Sequence, residues 1–190
     1  MVPLDALRRD SHMARETFTI REAVAQDADA MGRLHVRAWQ HVYRDVMPRE
    51  YLDGLDPDER STMWRTRLTR NGLPPLLVGV IDDDVVGFAT FGQARPPENA
   101  TTGELYAMNV DPAHWGNGVG RALLRDSTVR LASIGFTDAI LWVVPENARA
   151  RRLYESEGWT DDHATATEEI LGVTVTDMRL RKTLTAPALS

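Results

Sequence analysis

Val110-Asp111-Pro112-Ala113-His114-Trp115-Gly116-Asn117-Gly118-Val119-Gly120-Arg121-Ala122-Leu123-Leu124 is the stretch that decides how this chain reads. A strand-like run from Leu105 ends at Val110. A helical pattern from Gly118 to Ser133 follows, with Val119, Leu123 and Leu131 along one side and Gly135 as its stop. Between the two, Gly116, Gly118 and Gly120 stand at alternate positions. Glycine admits positive φ and lets a ligand approach the main chain. The first N–H groups of a helix have no internal partner and sit at the positive end of its dipole. Together these properties predict a cradle for phosphate groups. A Walker-type loop is excluded, because Gly120 is followed by Arg121-Ala122 instead of Lys-Ser/Thr. The dinucleotide fingerprint fails as well: it needs G-x-G-x-x-G directly after its strand, and here Asp111 to Trp115 intervene before G-x-G-x-G. The competing reading is a tight strand-to-helix turn and nothing more.

Upstream, Phe18-Thr19-Ile20-Arg21 reads as a first strand. Asp27 is placed to cap a helix carrying Met31, Leu34, Ala38 and Trp39, and Pro48 breaks that pattern. Asp56 caps a second helix with Pro57 in its first turn and Met63, Trp64 and Leu68 along it. Leu76 to Ile81 and Val85 to Phe91 form a hairpin around Asp82-Asp83-Asp84. Downstream, Ala139 to Val144 is a strand, Asn147 caps a helix ending at Gly158, and Glu168 to Leu180 fold back around Gly172. The order β-α-α-β-β-β-α-β-α-β-β alternates only in its middle. That predicts an α/β protein of the α+β type with a mixed sheet, not a doubly wound parallel one.

Composition narrows the classes. A chain of 190 residues with 43% hydrophobic and 26% charged residues suits one globular domain. With no cysteine there is no disulfide framework, no Cys-ligated zinc and no Cys nucleophile. The histidines show no close metal spacing, so no metal is expected. A net charge of −6 argues against nucleic acid as a partner and mildly favours a cationic acceptor such as an amine. It opposes an anionic ligand unless groups at contact range, such as the cradle amides and Arg121, override the global field. No apolar run approaches the ~18 residues that span a bilayer, so no membrane is expected, and Met1 to Ala14 lacks a secretory h-region. A cytoplasmic location is the default. Residues 1–15 are expected to be a disordered extension, 16–184 the single domain and 185–190 a flexible tail.

A second segment makes the first specific: Asn147-Ala148-Arg149-Ala150-Arg151-Arg152-Leu153-Tyr154-Glu155-Ser156-Glu157-Gly158-Trp159. Val110-x-Pro112 followed by Gly118-x-Gly120, then Asn147, Ala150, Tyr154 and Gly158, resembles the GCN5-related N-acetyltransferase (GNAT) family. Trp115 stands where that family usually has Gln or Arg, and Trp159 replaces its usual aromatic. The resemblance covers roughly Phe18 to Leu184. It implies a mixed, mostly antiparallel central sheet flanked by helices and splayed after the fourth strand, forming one acyl-CoA N-acyltransferase domain. It implies acetyl-CoA as donor substrate, a primary amine of a small molecule or protein as acceptor, direct attack in a ternary complex, and room for a homodimer.

The resemblance also assigns residues. Met108, Asn109 and Val110 would use their backbones, and Trp115, Gly116, Asn117, Gly118, Val119, Gly120 and Arg121 would form the cradle. Asn147 is an N-cap that can also serve the cofactor. Tyr154 is the expected acid for the leaving thiolate, since a phenol of pKa near 10 can donate at neutral pH; the alternative is a packing tyrosine. Glu104 is the expected base for an amine that is mostly protonated at neutral pH; the alternative is a solvated strand-end carboxylate. Arg149, Arg151 and Arg152 read mainly as a solvated helix face, with one able to reach phosphates. Trp39, His41, Tyr43 and Trp64 either line an amine pocket, Trp39 and Tyr43 foremost, or belong to the core. Two rival functions remain at this stage: a non-catalytic acyl-CoA sensor or interaction module on the same fold, and a nucleotide-binding enzyme of another class.

Overall fold

Two hairpin turns are written directly into the chain. Asp82 and Asp83 take φ of 45° and 69°, and Leu171 and Gly172 take 48° and 78°. Consecutive left-handed residues make the tight turn whose twist matches that of the flanking strands. The structure, a computed structural model, describes residues 17–185 apart from 71 and 97. The expected N-terminal extension and the tail beyond residue 185 lie outside the described residues.

The strands are β1 (Phe18–Glu22), β2 (Leu76–Ile81), β3 (Asp84–Gln93), β4 (Thr102–Val110), β5 (Asp138–Val143), β6 (Thr160–Ile170) and β7 (Val173–Thr183). They form one sheet in the order β1-β2-β3-β4-β5-β7-β6. Every neighbouring pair is antiparallel except β4 and β5. The helices are α1 (Ala28–Val42), α2 (Arg49–Asp53), α3 (Pro57–Thr69), α4 (Val119–Ser133) and α5 (Ala148–Ser156). Short α2 is absent from the sequence-based order. It has no side-chain cap and is held by burial of Leu52 beside Met47 and Val144.

The sheet has a core on each face. On one, α4 lays Val119, Leu123, Leu124 and Leu131 against Leu77, Ala89, Phe91, Leu105 and Leu141. On the other, α1 and α3 lay Met31, Leu34, Ala38 and Trp64 against Leu76, Val78 and Phe88. Each fully buried large side chain contributes about 1.5–3 kcal/mol of transfer free energy, so both helix layers are fixed firmly to the sheet. The predicted stop of α4 holds. Gly135 has φ of 102°, its N–H bonds Ala132 O at 3.1 Å, and Phe136 N–H bonds Leu131 O at 3.2 Å. Asp27 differs from expectation. Its carboxylate turns back to accept from Val24 N–H at 2.8 Å and from the Arg21 guanidinium at 2.7 and 2.8 Å, and it does not cap α1.

Two irregularities open the sheet at its centre. β4 pairs with β5 only from Thr102↔Asp138 to Leu105↔Leu141, so its edge from Tyr106 to Val110 has no strand partner on that side. The register against β3 also shifts, from Thr90↔Ala107 to Phe91↔Leu105, leaving Tyr106 as the extra residue of a bulge. The bulge reverses parity. Leu105 before it and Met108 and Val110 after it all pack on the α4 side. Among the described residues no helix is long and apolar enough to cross a membrane.

Candidate active site

The helix that follows the glycine run starts without a side-chain cap. Gly118 precedes α4 at φ 95°, a left-handed conformation that suits glycine. Among the described α-helices only α3 and α5 carry side-chain caps: Asp56 accepts from Asp58 N–H at 2.8 Å, and Asn147 accepts from Ala150 N–H at 3.1 Å. The first-turn amides of α4 have no intrahelical acceptor and carry the positive end of its dipole. They face a cleft of about 420 Å³ whose walls include Gly116, Gly118, Val119 and Gly120.

The opened edge of β4 forms the next wall, through Met108, Asn109 and Val110. The third wall is α5, through Asn147, Ala150, Leu153 and Tyr154, and α1 adds Ala38 and Val42. One cleft therefore gathers most of the residues expected from the sequence. Asn117 belongs to the same loop but does not line it.

Tyr154 is 7% exposed and packs on Trp159 with ring centroids 6.5 Å apart. Burial, and secondarily the neighbouring Tyr43, push its pKa up, so the phenol keeps its proton at neutral pH. Tyr43 is likewise pushed up to about 12 by burial and then by Asp177. Asp177 is itself raised by burial, Glu168 and Glu146.

Trp115 does not present a polar side chain to the cleft as Gln or Arg would. Its indole N–H donates to Val110 O at 2.9 Å, pinning the loop to the end of β4. Arg149 stacks over that indole at 4.4 Å, and His41 meets it edge-on at 4.8 Å. Arg149 and Arg152 line the cleft, so these two are more than a solvated helix face. Arg151 stays outside, bonded to Pro145 O at 3.3 Å and paired with Glu155. Arg121 lines the cleft with its charge already shared: its Nε lies 2.9 Å from Glu157, which also binds Arg125 at 2.7 Å. The sequence placed phosphate-binding charge on Arg121. The less committed cations come from α5, where the sequence reading allowed one arginine to reach phosphates and the structure places two, Arg149 and Arg152, at the cleft.

Glu104 is 1% exposed and is not part of the cleft lining. Arg95 N–H donates to its Oε2 at 3.0 Å, and the Arg95 guanidinium bonds both carboxylate oxygens. Arg95 itself is 66% exposed and lies over the Tyr106 ring at 5.8 Å. Tyr106 donates its hydroxyl to Gln93 O. Trp39 and Tyr43 meet as a tilted pair at 5.0 Å and do not line the cleft, although their neighbours Ala38 and Val42 do, whereas Trp64 is buried in the core against Phe88 at 4.9 Å. Among the described residues no group of three or more His, Cys, Asp or Glu side chains is placed to hold a metal.

The family model for the acetyltransferase (GNAT) family matches residues 30–159, which span the cleft from α1 to the end of α5. This chain belongs to the GNAT family. A curated relative, the uncharacterized N-acetyltransferase YuaI of Bacillus subtilis, is 33% identical over 132 residues, covering 68% of this chain and 73% of its own length. Mycothiol acetyltransferase of Beutenbergia cavernae is 38% identical over 96 residues, which cover 50% of this chain but only 32% of that longer protein. Among solved structures, the PaiA N-acetyltransferase of Thermoplasma acidophilum in complex with coenzyme A shares the fold at TM-score 0.70 and 18% identity, covering 88% of this chain and 99% of its own. YncA of Salmonella typhimurium, solved with its cofactor acetyl-CoA, superposes at TM-score 0.68 and 26% identity, covering 90% of this chain and 96% of its own. The GNAT chain is thus an acyltransferase with the family's mixed, mostly antiparallel seven-stranded sheet flanked by helices.

Proposed function

We propose that this GNAT acyltransferase moves the acetyl group of acetyl-CoA to a primary amine by direct attack within a ternary complex. One observation carries the reading. An uncapped glycine-led helix start, an unpaired strand edge and a buried protonated phenol share a single cleft. The first-turn amides of α4 would take the diphosphate, aided by Arg149 and Arg152. The free edge of β4 would pair with the amide-bearing arm, and a main-chain N–H between Met108 and Val110 would meet the developing oxyanion. Acetyl-CoA supplies an activated thioester there.

The proton inventory supports direct transfer. Tyr154 holds a proton for the departing sulfur. The amine must shed one, and Glu104 is the carboxylate buried beside the opened strand. Arg95 occupies both Glu104 oxygens, so the carboxylate serves as base once the exposed guanidinium swings aside or a water relays the proton. Asp177 near Tyr43, itself neighboured by Glu168 and Glu146, gives a cationic amine a reason to approach.

Calorimetry with coenzyme A tests the cradle, and free-thiol release from acetyl-CoA across an amine panel tests the chemistry. Tyr154→Phe should lower turnover about a hundredfold or more while coenzyme A affinity changes less than about threefold. Tight coenzyme A binding with no thiol release from any acceptor would favour a sensor instead.

A further inference from the structure

Six arginines among the described residues are partly buried: Arg60, Arg67, Arg130, Arg151, Arg179 and Arg181. Four have carboxylate partners. Arg130 meets Glu22, Arg151 meets Glu155, Arg179 meets Glu98 and Asp162, and Arg181 meets Glu98, Asp138 and Asp162. Arg60 and Arg67 have none among the described residues. A cation taken partly out of water without a counter-ion is unfavourable, and a fold that keeps two of them on one helix needs a reason.

Both lie on one face of α3, two turns apart, with Trp64 between them. Arg67 donates to the buried Thr90 hydroxyl, while its Nε is buried with no hydrogen-bond partner. Burial also pushes the Arg67 pKa down, offset only in part by the nearby Tyr106 phenol. The Trp64 indole N–H and both ring nitrogens of His35 are buried and unpartnered as well. His35 sits 5.8 Å from Trp64 and 5.2 Å from Trp39. Arg60 lies over Trp39 at 6.0 Å. Arg67 Nε–H, the Trp64 indole N–H and the single N–H of neutral His35 are orphaned donors beside two cations without carboxylate partners, a set suited to an oxyanion.

No residue of the patch lines the cleft, but two intermediates connect it to the candidate catalytic groups. Trp39 stacks on Tyr43, which is an electrostatic neighbour of Tyr154. Arg67 and Glu104 both act on the Tyr106 phenol.

We infer that α3 is the acceptor-recognition helix: Arg60 and Arg67 hold an oxyanion carried by the amine substrate, which is therefore a small amine that also bears a carboxylate or phosphate. This rests on the acetyl-transfer reading above. Asp177 and its acidic neighbours would receive the ammonium end, so the two ends of a zwitterion meet opposite charges.

The test pairs acceptors that differ only in the anion: glycine against glycinamide, β-alanine against its amide, and phosphoethanolamine against ethanolamine, with spermidine as a polycation. Thiol release is measured for the native chain, for Arg67→Lys and for the double variant Arg60→Gln/Arg67→Gln. The expected result is at least a tenfold higher kcat/KM for the anion-bearing member of a pair, erased in the double variant chiefly through KM. Arg67→Lys should retain part of the preference, because it keeps the charge and loses the fork. The carboxylate and phosphate arms tell the two oxyanions apart. Equal or better turnover of the neutral amines or spermidine, or a preference that survives the double variant, overturns the inference.

Tryptophan fluorescence provides a readout independent of turnover, since Trp39 and Trp64 flank the arginines. Saturable quenching by glutarate or inorganic phosphate that disappears in the double variant supports the site, and no saturable change overturns it. Thermal melting and coenzyme A affinity, unchanged in the variants, separate lost recognition from lost folding. If the native chain fails to bind coenzyme A, the acetyl-transfer reading falls while the anion titration still decides this one.

Discussion

Single atoms set the chemistry of this cleft. Gly118 is glycine because its φ of 95° carries the main chain into α4 while leaving the helix start bare. Gly118→Ala should cost about 1–2 kcal/mol through left-handed strain. It should also weaken coenzyme A binding about tenfold, the equivalent of 1.4 kcal/mol, which calorimetry measures. Glu104 and Arg95 make a second point. If the carboxylate takes the amine proton, Glu104→Gln should lower kcat/KM about a hundredfold and remove the acid limb of its pH profile. A purely structural carboxylate would instead lower the melting temperature and leave the profile's shape intact.

At the scale of elements, the α1–α3 crossing positions the helix we propose for acceptor recognition. Gly32 on α1 lets α3 approach so closely that an added Cβ would lie 2.2 Å from Ser61 Oγ, 2.6 Å from Ser61 N and 2.7 Å from Pro57 O. Two of those three atoms are backbone, so the clash cannot be relieved by a rotamer. Gly32→Ala should therefore destabilise the protein by about 1–3 kcal/mol. With α3 displaced, acceptor KM should rise more than coenzyme A affinity falls, since the cleft proposed for the donor is walled chiefly by α4, α5 and β4, with α1 adding only Ala38 and Val42. Several element boundaries were legible from local chemistry. Asp56 and Asn147 cap because a short polar side chain beside a helix start has a nearby amide to accept from. Asp27 has the same side chain in the same kind of place, yet Arg21 draws it away. Nothing within a helical turn of Asp27 announces that competition.

For the whole molecule, pH stability depends on a buried imidazole. Burial, and secondarily Arg60, depress His35 from 6.5 to about 4. The unfolded chain takes up a proton below pH 6.5 that the folded chain refuses until about pH 4. Stability should thus be intact above pH 6.5 and fall progressively toward pH 4, by about 3 kcal/mol in all. His35→Phe should flatten that slope in denaturant titrations at pH 7, 5.5 and 4.5. Asp27, Glu98, Glu157 and Asp162, held below their ordinary values by arginines, lose their contribution only at lower pH.

What the sequence alone determined is whatever depends on neighbours a few residues away. That includes the glycine-led start of α4, the caps of α3 and α5, the two hairpin turns, and the paired segments that reveal the family. Backbone conformation and capping are local, so residue identity and spacing suffice to specify them. Only the tertiary structure decided the rest. The residue at which β4–β5 pairing ends, the bulge at Tyr106, Arg149 stacked on Trp115, the Arg95 clasp on Glu104 and the unpaired arginines of α3 all depend on residues brought together across the chain, whereas the splay after the fourth strand was already implied by the family resemblance. Their energetics turn on distance and burial in three dimensions, which separation along the chain does not encode.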